Sequence, residues 1–172
     1  MIDLKDKIRN IPDFPVTGIQ FKDITTLLKD KKAFKYSIDE LTKHCNKFQI
    51  DYIVGIEARG FIVGTPVAYQ LGIGFLPVRK PEKLPCEVEK VSYELEYGES
   101  ILEMHKDAVD SGDKIMVIDD LLATGGTTAA VFKLIEKLGG KVIGASFIIE
   151  LEFLNPREKL EGYDIFSLVQ YN

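Results

Sequence analysis

Short apolar runs and helical stripes alternate along most of the chain. The run Ile115-Met116-Val117-Ile118 contains no polar position, the pattern of a strand buried on both faces of a parallel sheet. Beyond it, Val131, Leu134, Ile135 and Leu138 recur at i, i+3, i+4 and i+7, one face of an amphipathic helix that Gly139-Gly140 stops. Phe34, Ile38, Leu41, Cys45 and Phe48 step by 4, 3, 4 and 3, which predicts a second helix with Asp30 as its cap. YIVGI, IGFLPV, KVIGASFII and YDIFSLV read as further strands, and FIVGTPVAYQLG as a helix with Pro66 at a kink or near a turn boundary. NPREKL predicts a short helix with Asn155 as cap and Pro156 at its first position. Strands alternating with helices imply an α/β fold with a mainly parallel central sheet covered by helices on both faces.

Three segments break the rhythm. Residues 1–33 include IPDFPVTGIQFKDI, whose Pro12, Pro15 and Gly18 predict an irregular hood. Residues 79 to about 92, RKPEKLPCEVEKVS, carry mixed charge and no apolar stripe, and predict a mobile surface loop. Val91, Tyr93, Leu95 and Tyr97 then alternate with Ser92, Glu94 and Glu96 before a turn at GES and a return along ILEMHK, an antiparallel hairpin with one polar face. Loop and hairpin together, residues 79–106, would make a flexible lid within one domain spanning 1–172.

The densest chemistry lies in DDLLATGGTT. At a strand–loop–helix junction the first amides of the helix point into a crevice with the positive end of the macrodipole behind them. Gly125 and Gly126 allow close backbone approach, and Thr124, Thr127 and Thr128 add hydroxyl donors, which suits a phosphate monoester. Asp119 and Asp120 would repel that phosphate, so they fit the neutral part of the same ligand, accepting hydrogen bonds from a vicinal diol. Together they read as a receptor for a ribose 5-phosphate. No Lys follows Gly126, so the loop is not the phosphate loop of a nucleoside triphosphatase.

Composition narrows the setting. Forty-five per cent hydrophobic and 28% charged residues in 172 are ordinary for one soluble globular domain. No apolar run reaches membrane length and the charged N-terminus has no secretory apolar region, so a cytoplasmic protein with no membrane role is expected. Cys45 and Cys86 form no Cys-x-x-Cys pair, which suggests neither a disulfide framework nor a zinc site; Cys45 belongs to a helix stripe. A net charge of −5 and pI near 5.2 argue against general nucleic-acid binding, and require local cations or a metal if the ligand is highly anionic.

Taken with EARGF, RKPEKLP, YELEYG and FPVTGIQFKDIT, the DDLLATGGTT segment resembles the type I phosphoribosyltransferases, and within them the branch that uses adenine. The resemblance runs from about Ile8 to the C-terminal SLVQYN. It implies transfer of a phosphoribosyl group from phosphoribosyl pyrophosphate (PRPP) to adenine N9, giving AMP and pyrophosphate, with Mg2+ held mainly by PRPP and water. By the same resemblance, Asp119, Asp120, Ala123, Thr124, Gly125, Gly126 and Thr127 hold the ribose and its 5-phosphate. Arg59, Gly60, Arg79, Lys80 and Lys83 hold pyrophosphate, with a strained peptide bond just before Arg59 and lid residues reaching into a partner's site, hence a homodimer. Glu96 and Arg59 are the implied catalytic residues, Glu96 hydrogen-bonding purine N7 or steadying the charge that develops on the ribose.

For the base, the resemblance implies that Phe21 stacks opposite Leu121 while backbone groups near Gln20 and Arg59 read the adenine edge. Cys86-Glu87 departs from the small residues expected after KLP. Two alternatives keep the DDLLATGGTT loop: a transferase for xanthine or hypoxanthine, and a non-catalytic PRPP sensor. The hood motif speaks against the first, and an acidic chain of 172 residues without an added segment speaks against the second. His44 and His105 have no partner by spacing and read as structural.

Overall fold

The computed structural model describes residues 2–95 and 98–172. Its centre is a parallel five-stranded sheet in the order β4 (Gly74–Val78), β3 (Tyr52–Ile56), β7 (Lys114–Leu122), β8 (Lys141–Leu151), β9 (Asp164–Tyr171). β7 lies in the middle because its residues are apolar on both sides. Met116 and Ile118 face a core built with α2 (Lys31–Cys45) and α3 (Arg59–Leu71). Ile115 and Val117 face a second core with α4 (Gly126–Lys137). Alternate side chains of a strand point to opposite faces, so one apolar run serves both layers.

The helix signals hold. Asp30 accepts hydrogen bonds from the amides of Lys32 and Ala33 at 3.0 and 3.1 Å, capping α2 as its spacing predicts. α3 begins at Arg59, two residues before the predicted start, runs through Pro66, and ends at Gly72 in the left-handed region. The short helix at Pro156–Leu160 is 3-10, and Asn155 precedes it with φ 48° and no capping side-chain hydrogen bond, so the expected cap is replaced by a left-handed backbone turn.

The interrupted segments are more regular than their composition suggests. β1 (Arg9–Pro12) pairs antiparallel with β2 (Gln20–Asp23), which puts a hairpin inside the expected irregular hood. Only the loop between them is irregular, with a cis Phe14–Pro15 bond and Gly18 at φ 92°. β5 (Val88–Leu95) pairs with β6 (Gly98–His105) as far as Leu95 and Gly98. The loop after Arg79 is therefore shorter than expected, and Gly98-Glu99-Ser100 belongs to a strand instead of a turn. Val91 and Tyr93 pack beside Leu102 and Met104 in the second core, and Lys137 of α4 is ion-paired with Glu89 at 2.5 Å. Apolar alternation thus anchors the root of the hairpin to α4.

Both histidines have partners distant in sequence. His44 Nε2 lies 2.7 Å from Asp164 Oδ1 with the ring stacked on Phe166, and His105 Nε2 lies 2.6 Å from the Pro85 carbonyl oxygen. Cys45 is buried and its thiol is pushed up to about 12 by burial. Among the described residues no helix is long and apolar enough to cross a membrane.

Candidate active site

β7 runs on through Asp119 and Asp120 to Leu122, so the two acids lie in the strand and not just beyond it. Their positions alternate across the pleat. Asp120 is buried at 4% exposure, while Asp119 turns its carboxylate towards the N-terminus of α3 and accepts the Asp120 amide at 2.9 Å. Burial, then the neighbouring Asp120 charge, pushes Asp119 well above the usual carboxylate range. Burial raises Asp120 too, opposed by the Arg59 guanidinium. Arg59 Nε stands 3.0 Å from Asp120 Oδ2.

Gly60 explains how α3 comes so close. A Cβ there would stand 2.8 Å from Asp119 Oδ1 and 3.0 Å from the Ile118 carbonyl oxygen. Gly125 does the same for α4: its φ of 76° is left-handed, and a Cβ would meet the Pro156 carbonyl oxygen at 2.5 Å. It occupies the cap position of α4, whose first residues are Gly126, Thr127 and Thr128. The helix therefore opens with its free amides beside the acids.

These parts enclose one crevice of about 260 Å³. Arg59, Lys80, Asp119, Asp120, Leu121, Ala123, Thr124, Gly125 and Thr127 of the candidate residues line it. Gly60 stands behind the wall and Gly126 is the first residue of α4. Phe21 stands at its margin with the Arg59 guanidinium carbon 5.5 Å from its ring centre, and Gln20 is exposed, accepting the Asn10 amide at 2.7 Å. The cis peptide is Glu57–Ala58, one bond earlier than the resemblance implies.

Arg79 and Lys83 are outside the lining. Arg79 donates to Glu57 at 3.2 and 3.3 Å and to the Lys83 carbonyl oxygen at 3.0 Å. Glu57 also accepts the Lys80 amide at 3.0 Å; that bond, ahead of the Arg79 guanidinium, holds its carboxyl below the usual range. Glu96, like Tyr97, lies outside the described residues.

Sequence reasoning missed two participants. Glu57 orients Arg79 and Lys80; it sits in the quoted EARGF, but a carboxylate among expected anion ligands carries no mark of a tethering role. Tyr93 lines the crevice with its hydroxyl 3.5 Å from Thr127 Oγ1. Its signal was only the apolar alternation of the hairpin. Among the described residues no group of three or more acidic, histidine or cysteine side chains could cage a metal.

Residues 25–166 match the family model of the phosphoribosyl transferase domain. The chain is 57% identical over 171 residues to an adenine phosphoribosyltransferase of Clostridium acetobutylicum, covering 99% of each. It superposes on the adenine phosphoribosyltransferase of Thermoanaerobacter pseudethanolicus with TM-score 0.95 at 56% identity, over 98% of both chains. The corresponding values for the Saccharomyces cerevisiae enzyme, crystallised with adenine and an imino-altritol bisphosphate, are 0.91 and 40%, over 96% of both chains.

Proposed function

The chain belongs to the phosphoribosyl transferase domain family, among its adenine phosphoribosyltransferases, and we propose that the crevice at the end of β7 carries out the transfer. The reaction is that of purine salvage: the 5-phosphoribosyl group of PRPP moves to N9 of adenine, giving AMP and pyrophosphate. One observation carries the assignment of the crevice: two adjacent carboxylates and the open N-terminus of α4 share it, with Arg59 3.0 Å from Asp120.

As the bond from C1 of the ribose to pyrophosphate breaks, its electron pair leaves with pyrophosphate and C1 takes on oxocarbenium character. N9 then supplies the new pair, and the purine gives up a proton. The α4 amides and the hydroxyls of Thr124 and Thr127, with Ala123, Gly125 and Gly126, hold the 5-phosphate. Asp119 and Asp120 accept the ribose hydroxyls, which supply hydrogen bonds to carboxylates that burial leaves poorly solvated. Arg59, the close backbone at Gly60, and Lys80 take the leaving pyrophosphate. Arg79 joins them on release from Glu57, and Lys83 approaches with the same loop.

Phe21 and Leu121 sandwich the base, and main chain at Gln20 and Arg59 reads its edge. Glu96 serves at N7 or at the developing ribose charge. Mg2+ suits a site whose acidic oxygens can accept hydrogen bonds from its water shell, and when bound to PRPP it would neutralise charge on the departing pyrophosphate. The enzyme acts as a homodimer, which accounts for Ile62 and Tyr69, 46% and 86% exposed on one face of α3. The unpaired thiols of Cys45 and Cys86 suit the reducing cytoplasm.

The test is pyrophosphate release by purified protein given PRPP, Mg2+ and, separately, adenine, hypoxanthine, guanine, xanthine, uracil or orotate. Release with adenine alone is expected. Turnover with a different base would overturn the hood assignment, and silence throughout would overturn the transferase.

A further inference from the structure

Glu150, near the end of β8, is 1% exposed and lies outside the crevice. The Arg157 guanidinium meets it bidentately, Nε to Oε1 at 2.7 Å and Nη2 to Oε2 at 2.8 Å. Arg157 Nη1 also donates to the Ile165 carbonyl oxygen at 3.2 Å, and the Ser167 hydroxyl donates to Glu150 Oε2. Burial opposes the charge on Glu150, yet Arg157 and then Ser167 hold its carboxyl below the usual range. The pair is open on one side, with the Arg157 side chain 48% exposed, and an ion pair that reaches solvent adds little net stability, so its use lies in where it holds the backbone.

That use follows from what Arg157 carries. Its neighbour Pro156 is buried, and the Pro156 carbonyl oxygen is the atom 2.5 Å from the position of a Cβ on Gly125. Gly125 caps α4, and its own carbonyl oxygen accepts the first helical hydrogen bond, from the Ala129 amide at 2.9 Å. From the other side, Leu122, three residues before Gly125, is in register with Glu150 across β7 and β8. The loop is thus held between the strand that carries Glu150 and the segment that Arg157 fixes.

We propose that Glu150 and Arg157 are positioning residues for the phosphate cradle: their fork-to-fork pair presses the Pro156 backbone against Gly125 and so aims the amides that open α4. This rests on the assignment of that loop to the 5-phosphate. The rest of the segment has separate anchors. Leu160 is packed into the α4 core, and the Tyr163 hydroxyl donates to Glu136 at 2.7 Å. Loss of the pair therefore loosens the cradle without freeing α4.

Ribose 5-phosphate binding by calorimetry, and steady-state kinetics with each substrate varied in turn, test this on the parent and on Arg157→Ala, Arg157→Lys, Glu150→Gln and Thr127→Ala. Arg157→Ala is expected to weaken ribose 5-phosphate binding and raise KM for PRPP by about tenfold, because sub-ångström misplacement of a binding group is costly. KM for adenine and kcat should stay within about twofold, since Gln20, Phe21 and Arg59 belong to β2 and α3 and not to the segment that Arg157 fixes. Arg157→Lys, which keeps the charge but not the fork, should fall between parent and alanine.

If Arg157→Ala binds ribose 5-phosphate like the parent while Thr127→Ala is weakened, the positioning role is wrong and the cradle stands. If Thr127→Ala is also unchanged, the cradle assignment fails and takes this inference with it. Equal losses for adenine and ribose 5-phosphate in Arg157→Ala would mean general damage, and would overturn it. Should Arg157→Ala not fold, Arg157→Lys and Glu150→Gln, which preserve side-chain volume, decide by the same comparison.

Discussion

Arg59 Nε lies 3.0 Å from Asp120 Oδ2, joining the first residue of α3 to the end of β7. The contact neutralises charge without a well-aligned hydrogen bond: among the described residues Asp120 Oδ2 has no donor in hydrogen-bonding geometry. The same guanidinium lies over Phe21. One side chain therefore links the acid assigned to the ribose, the aromatic assigned to the base, and the place assigned to pyrophosphate. An incoming pyrophosphate competes with Asp120 for Arg59, and an incoming ribose hydroxyl gives Asp120 the donor it lacks. The exchange favours binding of the two halves of PRPP together.

Asp119→Asn should then stabilise the empty protein while weakening PRPP binding. The carboxyl is raised above its unfolded value of 3.8, so the folded state holds the proton more tightly, and ionisation costs stability as pH rises through the raised value. The cost is absent below pH 3.8 and grows as pH climbs from there towards the raised value. Urea midpoints should show a gain of about 0.5–2 kcal/mol for Asn at neutral pH, shrinking in acid. A loss of stability at neutral pH would contradict the strained pair; unchanged PRPP affinity would contradict the ribose assignment.

Gly60→Ala places a methyl 2.8 Å from Asp119 Oδ1 and 3.0 Å from the Ile118 carbonyl oxygen. Backbone on one side cannot yield, so α3 must shift away from β7 and carry Arg59 with it. We expect about 1–3 kcal/mol of destabilisation with a PRPP KM raised at least about tenfold. Thermal melting beside kinetics checks both, and a variant kinetically equal to the parent would show that the close approach at Gly60 is dispensable.

The sheet was legible because its central strand carries an unbroken apolar run, and α2 because Asp30 precedes a clean helical stripe. The strand–loop–helix junction at Asp119–Thr128 was legible because glycines ahead of a helical stripe leave a local pattern. The hood hairpin was hidden, since β1 and β2 are four residues each, β1 is largely exposed, and neither alternates. Lys80 lines the crevice, but the capture of Arg79 by Glu57 spans 22 residues and depends on the fold. The Glu150–Arg157 pair escaped for the opposite reason: seven residues apart, it joins a strand to a 3-10 turn, where no single periodicity applies.

Glu96→Ala should lower kcat far more than it changes either KM, by about 10²–10⁴-fold if the carboxylate acts at N7 or on the ribose charge only in the transition state. Single-turnover rates with pre-bound PRPP isolate the chemical step. Full single-turnover rate in the alanine variant would remove Glu96 from the reaction.

Asp23 ties the two strands of the hood to α1, and acid should untie them. Its carboxylate accepts Arg9 Nε at 3.0 Å, the Thr25 amide at 2.9 Å and the Thr25 hydroxyl at 2.7 Å, so β1, β2 and the start of α1 (Thr25–Lys29) meet on one side chain. Arg9, then the Thr25 amide, lowers its pKa to about 2. A lowered carboxyl contributes stability that is present above the unfolded value of 3.8 and is lost as pH falls through about 2. Asp23→Asn should cost about 1–3 kcal/mol at neutral pH, from weakened bonds to a buried acceptor, and should converge with the parent in that acid window. Because Phe21 lies two residues away on the same strand, the variant should also raise KM for adenine more than for PRPP. Urea denaturation across the window decides the first expectation, where parallel curves would exclude Asp23 as the titrating tie; equal rises in both KM values would refute the second.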